Sequence, residues 1–329
     1  MTIEKLLEIT GGVCTNDSSK EEVQSATVHI KRVSEYDLFI SDDIQEIKEA
    51  LKLGASAILY QGEKKLELQT DAALIKVDSI ENSALKIISH IVKEDENIYF
   101  YLLKPQAITF FKMIQLKSRD VEYIPDDWKK AFELIINSEK AIFVSSNKEL
   151  LQKIKPKIKR YNKSAAGYNV EDTLFRSTFR VDKYVYQHKK MTPFHLEHLL
   201  KAVALCNEHH LEYSIDKVQY TKHFMPIFIE EETFIQKGEI SDHVVIVVDN
   251  LEDITEGREY AKTAKVTMSK SIVFAPPKVK IESYTKPTTF KDPVSLVTAV
   301  KTTSFNYGFV YTDKKEDLEA LRAYFSRED

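Results

Sequence analysis

The run His243-Val-Val-Ile-Val-Val-Asp249 most narrows what this chain can fold into, because it is too short for a core helix and has no polar face to turn to water. Such a run reads as a strand buried on both sides, the environment of a parallel sheet covered by helices. Residues 57–60, Ala73–Val77, 98–103, 141–144, Ser271–Ala275 and Tyr307–Tyr311 read as further short apolar strands. Helical patterns lie among them. Residues 44–53 form one, ending at Gly54, where glycine tolerates the left-handed conformation of a helix C-cap. Ser79-x-x-Asn82 opens another, which carries Ile80, Leu85, Ile87, Ile88 and Ile91 at helical spacing. Residues 107–116, 127–137 and Lys148–Ile154 follow, and Thr192-Pro193, Asp292-Pro293 and the capping-box-like Asp313-Lys-Lys-Glu316 start three more. Strands alternating with helices in this way predict an α/β fold of mostly parallel sheets flanked by helices.

The amino-terminal end adds a helix over 3–8, a Gly11-Gly12 turn and strands over 26–30 and Asp37–Ile40. The polar and apolar alternation of residues 173–186 predicts paired strands. A polar joint, Lys93-Glu-Asp-Glu-Asn97, stands between the first α/β unit and the next. A chain of 329 residues usually divides into compact units, and these breaks predict three: 1–94, 95–240 and 241–329.

Hydrophobic residues at 43% and charged residues at 30% are those of a folded chain. Lys plus Arg at 47 against Asp plus Glu at 51 leaves a net charge of -4, so no global field would hold nucleic acid or an anionic membrane. The strongly basic run Lys153-Ile-Lys155-Pro-Lys157-Ile-Lys159-Arg160 reads as a solvated helix end and linker, with a phosphate or nucleic-acid contact as the alternative. Cys14 and Cys206 lie far apart without a Cys-x-x-Cys or Cys/His cluster, which predicts neither a disulfide framework nor a zinc site. The start, MTIEKLLEIT, is broken by Glu4, Lys5 and Glu8, and no stretch approaches the ~20 apolar residues of a membrane span. The expected address is the cytoplasm, with no membrane insertion.

Ile9-Thr10-Gly11-Gly12, Val28-His29-Ile30-Lys31-Arg32-Val33, Tyr36-Asp37-Leu38-Phe39, Leu53-Gly54-Ala55-Ser56-Ala57 and Val77-Asp78 with Ala84-Leu85 follow one another in a telling order. Their order and spacing resemble the amino-terminal domain of the Mur ligase family, most closely its UDP-N-acetylmuramoyl-tripeptide D-alanyl-D-alanine ligase branch. The resemblance implies a three-unit architecture: this first domain, a shortened middle domain and a carboxy-terminal Rossmann-like domain. It also implies Thr10, Lys31, Arg32 and Asp37 as candidates for holding a UDP-sugar. The chain departs from the family where Asp-Ser-Arg is replaced by His29-Ile30-Lys31, and where Tyr36 stands for the glycine before Asp37. Lys31 or Arg32 can still donate to a diphosphate, although lysine lacks the two-pronged geometry of a guanidinium.

In active members of that family the first strand of the middle domain runs into Gly-x-x-Gly-Lys-Thr, whose backbone N–H groups wrap the phosphates while the lysine reaches the outer ones. Here the strand runs into Lys104-Pro-Gln-Ala-Ile-Thr109-Phe-Phe-Lys112, and no glycine lies between Gly62 and Gly167. Pro105 removes an N–H where donors are needed. Lys104, Thr109 and Lys112 are therefore candidates for what remains of a degenerate phosphate loop, and no cofactor is expected; Mg-ATP belongs only to the alternative of an active ligase.

Asp249, Glu252 and Asp253 gather where the buried strand ends, the position at which open α/β sheets tend to place ligands. Asp249 and Asp253 are the carboxy-terminal candidates, against the simpler reading of a solvated turn. His195 and His198 lie three apart on one helix, and His209-His210 close it; both pairs read as structural rather than as metal ligands. Cys206 reads as a small core residue. Together these features predict a degenerate, non-catalytic Mur-ligase-like protein of peptidoglycan precursor metabolism, whose partner is a UDP-muramoyl-peptide or a cell-wall enzyme. The alternatives are an ATP-dependent UDP-N-acetylmuramoyl-peptide ligase and a small-molecule enzyme that works through Asp249 on the carboxy-terminal sheet.

Overall fold

The computed structural model describes residues 1–62, 65–95, 97–117, 120–230, 241, 243–263, 270–281 and 287–326. Packing divides the chain into two compact units, Met1–Lys104 with Ser118–Tyr161 and Pro105–Lys117 with Asn162–Asp329. Residues 95–240, expected as one middle domain, are shared between them. The expected boundary at 240 lies outside the described residues.

The first unit opens with α1 (Ile3–Thr10), which starts at Thr2, whose hydroxyl accepts from the Lys5 N–H, and ends at Gly11 with φ 70°, a left-handed cap that suits glycine. β1 (Val13–Cys14), β2 (Ser25–Thr27), β3 (Asp37–Ile40), α2 (Ile44–Lys52), β4 (Ala57–Gln61), β5 (Ala73–Val77) and α3 (Ile80–Glu94) follow. The strands form a sheet in the order β1-β5-β4-β3-β2, parallel except for β1. After β6 (Tyr99–Leu102) the chain passes to α4 (Pro105–Ile114) of the second unit. It rejoins the first through β7 (Val121–Tyr123), α5 (Trp128–Ile136), β8 (Ile142–Ser145) and α6 (Lys148–Ile154). β6, β8 and β7 make a second, wholly parallel sheet. Leu6, Ile75, Leu85, Ile88, Phe100, Phe132, Phe143 and Leu151 belong to one continuous core, so the polar joint at 93–97 separates two sheets but not two cores. Glu96 of that joint lies outside the described residues.

The strand expected over 26–30 stops at Thr27, and Ile30–Arg32 is a 3-10 turn. The cause is Glu133, a carboxylate on α5 only 6% exposed. It accepts from the Thr27 hydroxyl (2.5 Å), the Val28 N–H (2.6 Å) and the Arg32 guanidinium (2.9 Å). Backbone groups that would have continued the ladder are thus satisfied by a side chain, and the chain turns.

The second unit joins α4 to β9 (Gly167–Asp172), β10 (Ser177–Val181), β11 (Tyr184–Lys189), α7 (Leu196–Glu208), β12 (Met225–Ile229), β13 (His243–Val248), α8 (Leu251–Thr263), β14 (Ser271–Ala275), β15 (Thr288–Thr289), α9 (Pro293–Thr302), β16 (Tyr307–Tyr311) and α10 (Lys315–Phe325). The paired strands expected over 173–186 are a three-stranded antiparallel sheet, β11-β10-β9, whose first turn is closed by Thr173: its hydroxyl accepts from Arg176 N–H at 3.0 Å. The larger sheet runs β12-β13-β16-β14-β15, parallel except for β12 at one edge, and all six residues of β13 are buried. Asp292 caps α9 in a capping box with Ser295. The cap expected at Asp313 is not made: α10 begins after Lys314, and Thr312 instead accepts from Lys314 N–H and donates to Asp317. The helix expected over 107–116 starts two residues earlier, because Pro105 suits the first turn, where no intrahelical N–H partner is needed.

Replacing Glu133 by alanine leaves the Thr27 hydroxyl and Val28 N–H without their buried acceptor and strips Arg32 of its carboxylate. The expected loss is about 2–4 kcal/mol in a chemical denaturation experiment. A loss below about 0.5 kcal/mol, the scale of an ordinary surface change, would show that water replaces the carboxylate at no cost.

Candidate functional site

The polar side chains that the fold draws together lie at the carboxyl end of β13 in the second unit. β12 runs antiparallel to β13 with Met225 opposite Val247. Continuing that register two residues places His223 opposite Asp249, and the imidazole Nδ1 meets both carboxylate oxygens, at 2.8 and 2.9 Å. The other ring nitrogen, Nε2, lies 2.8 Å from the hydroxyl of Thr109 on α4. A neutral ring that donates Nδ1–H to the carboxylate would accept the threonine proton at Nε2. The result is a hydroxyl, imidazole and carboxylate in line, the order in which a base activates a nucleophile and a third group orients the base.

A second histidine and carboxylate pair lies beside the first. His195 Nε2 is 2.9 Å from Asp253, and both side chains are almost wholly buried. Asn250 links the pairs, donating to Asp253 at 2.9 Å and more loosely to Asp249 at 3.3 Å, while its own oxygen accepts from the Asp253 N–H. Phe110, Phe194 and Phe224 set their ring edges against His195, which keeps this pair out of water. His195 is therefore held by a carboxylate and aromatic rings. Among the described residues no group of three or more His, Cys, Asp or Glu is placed to hold a metal ion.

Burial works to raise the pKa of Asp249, but the hydrogen bond and charge of His223, with help from Asn250 and Lys222, outweigh it and hold the carboxyl below its ordinary value. Burial pushes the Lys112 ammonium down, and the like charge of Lys222 adds to the effect. Burial drives the thiol of Cys206 up to about 12, so it stays protonated and inert, a core residue as its sequence context suggests.

The other sequence candidates are dispersed. The Thr10 hydroxyl donates to the Leu6 carbonyl and accepts from Gly12 N–H, closing α1. Lys31 and Arg32 follow β2, at the opposite margin of the sheet from β1, and Arg32 is engaged by Glu133. Asp37 starts β3, where its carboxylate accepts from Ser34 N–H at 2.8 Å. The sheet therefore does not gather these four at one point. Thr109 and Lys112 share α4, while Lys104 closes the preceding stretch of the first unit. Asp249 and Asp253 do come together, joined by Asn250. His223 and Asn250 were not singled out by sequence, and His223 has no local signal: only the antiparallel register of β12 sets it beside Asp249.

The frame that carries this site, an α/β fold with mostly parallel sheets flanked by helices, is similar to that of solved Mur ligases. Among solved structures it is similar to MurF from Acinetobacter baumannii, with a TM-score of 0.53 at 10% identity over 99% of this chain and 99% of that one. It is also similar to the MurF ligase from Thermotoga maritima in complex with ADP, with a TM-score of 0.51 at 10% identity over 92% of this chain and 97% of that one. No family model matches the sequence, and no curated protein matches it. No helix among the described residues is long and apolar enough to cross a membrane.

Because Asp249 titrates lower in the folded chain than in the unfolded one, its pairing stabilises fully above the unfolded value of about 3.9 and is lost as pH falls through the lowered folded value. Asp249→Asn should therefore reduce stability at pH 6, and the gap to the parent chain should narrow as pH falls below the unfolded value of about 3.9 when both are unfolded with urea. A gap of constant size across that range would show that the His223 pairing contributes nothing to the pH dependence.

Proposed function

We propose that this chain is a non-catalytic, Mur-ligase-like binding protein of peptidoglycan precursor metabolism. The observation that carries the reading is the connection from β6 to α4, which consists of Leu103 and Lys104 alone. Leu103 is buried and its N–H donates to the Ser145 carbonyl, so it offers no donor to a phosphate. Pro105, next in line, has no N–H. A phosphate-wrapping loop needs several consecutive free N–H groups and glycines that let the anion approach, and neither is present in this step. The hydroxyl of Thr109, a candidate remnant of that loop, is hydrogen-bonded to His223. These residues do not fit Mg-ATP. The Mur-ligase-like frame supports a UDP-muramoyl-peptide as the ligand class, or a cell-wall enzyme as the partner.

Calorimetric titration of the full chain separates the outcomes. UDP-N-acetylmuramoyl-tripeptide should give saturable heat and Mg-ATP none, with no phosphate release above buffer. Mg-ATP binding near the micromolar range, about -8 kcal/mol, would restore the ligase reading. Silence with both ligands would remove the precursor from the proposal.

A second reading rests on the line of Thr109, His223 and Asp249. It makes the chain a small-molecule enzyme of acyl transfer, in which the Thr109 oxygen bonds to an acyl carbon, its proton passes to His223 Nε2, and the departing alcohol takes that proton away. Water then releases the acid and regenerates the threonine. Hydrolysis of p-nitrophenyl acetate that falls about 100-fold or more in both Thr109→Val and His223→Gln would support it. Equal rates in the parent chain and both variants would reduce the line to a structural network.

A further inference from the structure

The basic run at 153–160 is not used by either reading, and in the first unit its lysines divide. Lys153 pairs with Glu81 at 2.5 Å. Lys155 and Lys157, with Lys93 at the end of α3, line a cleft of about 620 Å³. The ammonium groups of these three carry no ion pair or hydrogen bond among the described residues. Asp95 is the acid in the same wall, and it already accepts from the Asn97 N–H at 2.9 Å. Among the described residues that line it, the cleft thus carries three cations and one carboxylate, which is partly committed.

Val92 and Ile98 form a wall common to this cleft and to a smaller cavity of about 280 Å³. That cavity is apolar, bounded by Leu6, Leu38, Ile88, Ile91, Ile135 and Ile136 from the helices and sheet around α3. Ile91 is 37% exposed, an open position for a large aliphatic side chain on a helix that otherwise buries its apolar stripe. Taking about 30 Å³ for each water-sized group, the cavity has room for about nine. An apolar chamber of that size next to three cations with no partner among the described residues matches a molecule with both characters.

We propose that this groove binds a single-chain amphiphile: an alkyl chain of about eight to ten carbons in the cavity, ending in a carboxylate held by Lys93, Lys155 and Lys157. Alkyl burial supplies the affinity. The ammoniums, strongly hydrated and on flexible stems, suit an anionic head that stays at the wet rim. The site lies within the first unit and is independent of the histidine network.

Calorimetry of the full chain with hexanoate, octanoate, decanoate and dodecanoate tests the chamber, and 1-octanol tests the head. Affinity should rise about tenfold from hexanoate to octanoate and stop rising beyond decanoate, where the cavity is full. Octanol should bind about tenfold more weakly than octanoate. Lys155→Gln with Lys157→Gln should erase that difference and leave octanol unchanged; both side chains are exposed, and an unchanged melting temperature confirms an intact fold. Ile91→Gln should weaken both ligands. Absence of saturable heat with every chain length, equal binding of octanoate and octanol to the parent chain, or octanoate binding indifferent to the lysine substitutions would each overturn the proposal. So would inorganic phosphate binding as tightly as octanoate, which would reduce the site to a plain anion cleft.

Discussion

The carboxylate of Glu133 holds the first unit in its observed form. A buried carboxylate is costly unless its oxygens are satisfied, and here, beside the nearby Asn137 amide, the partners come from residues 27–32, more than a hundred positions earlier in the chain. That demand ends β2 early, turns the following residues into a 3-10 turn and ties them to α5. Because α5 also packs against α3, the sheet of residues 13–77 and the parallel sheet of β6, β8 and β7 share one interior. Arg32, which the family resemblance marks for a diphosphate, is already drawn into this arrangement.

In the second unit the same physics acts through imidazoles. His223 and His195 each face a carboxylate at the end of β13 or in the first turn of α8, and Asn250 bridges the two carboxylates. Such a network is stable because nearly every member is satisfied. It also consumes the Thr109 hydroxyl. A frame that resembles solved Mur ligases thus places a histidine and carboxylate network beside α4, the helix that the strand meets without a glycine-rich loop between them. The Thr109 hydroxyl, the His223 imidazole and the Asp249 carboxylate lie in line in this network.

The elements that depended on local chemistry were legible in the chain. Ser79, Asp127 and Asn147 cap α3, α5 and α6 through hydrogen bonds to N–H groups three residues on, a pattern visible in any short window. The apolar runs of β4, β5, β8, β13, β14 and β16 were visible for the same reason. Asp313 is the informative exception: a cap-like spacing was present, but Thr312 and Asp317 bond to each other and the helix begins one turn position later. Short-range patterns identify a possible hydrogen bond; competition from neighbouring groups decides whether it forms.

The sequence by itself determined the fold class, many of the strands and helices and the absence of glycine between Gly62 and Gly167, because apolar period, caps and residue type are properties of adjacent residues. Tertiary structure alone decided which distant groups meet. His223 faces Asp249 because β12 pairs antiparallel to β13 in one register, and a slip of one residue would send the imidazole to the other face. Lys155 and Lys157 stand beside an apolar chamber because α6 packs along α3. Register and helix packing are settled by burial summed over whole faces, so no local window of sequence contains them.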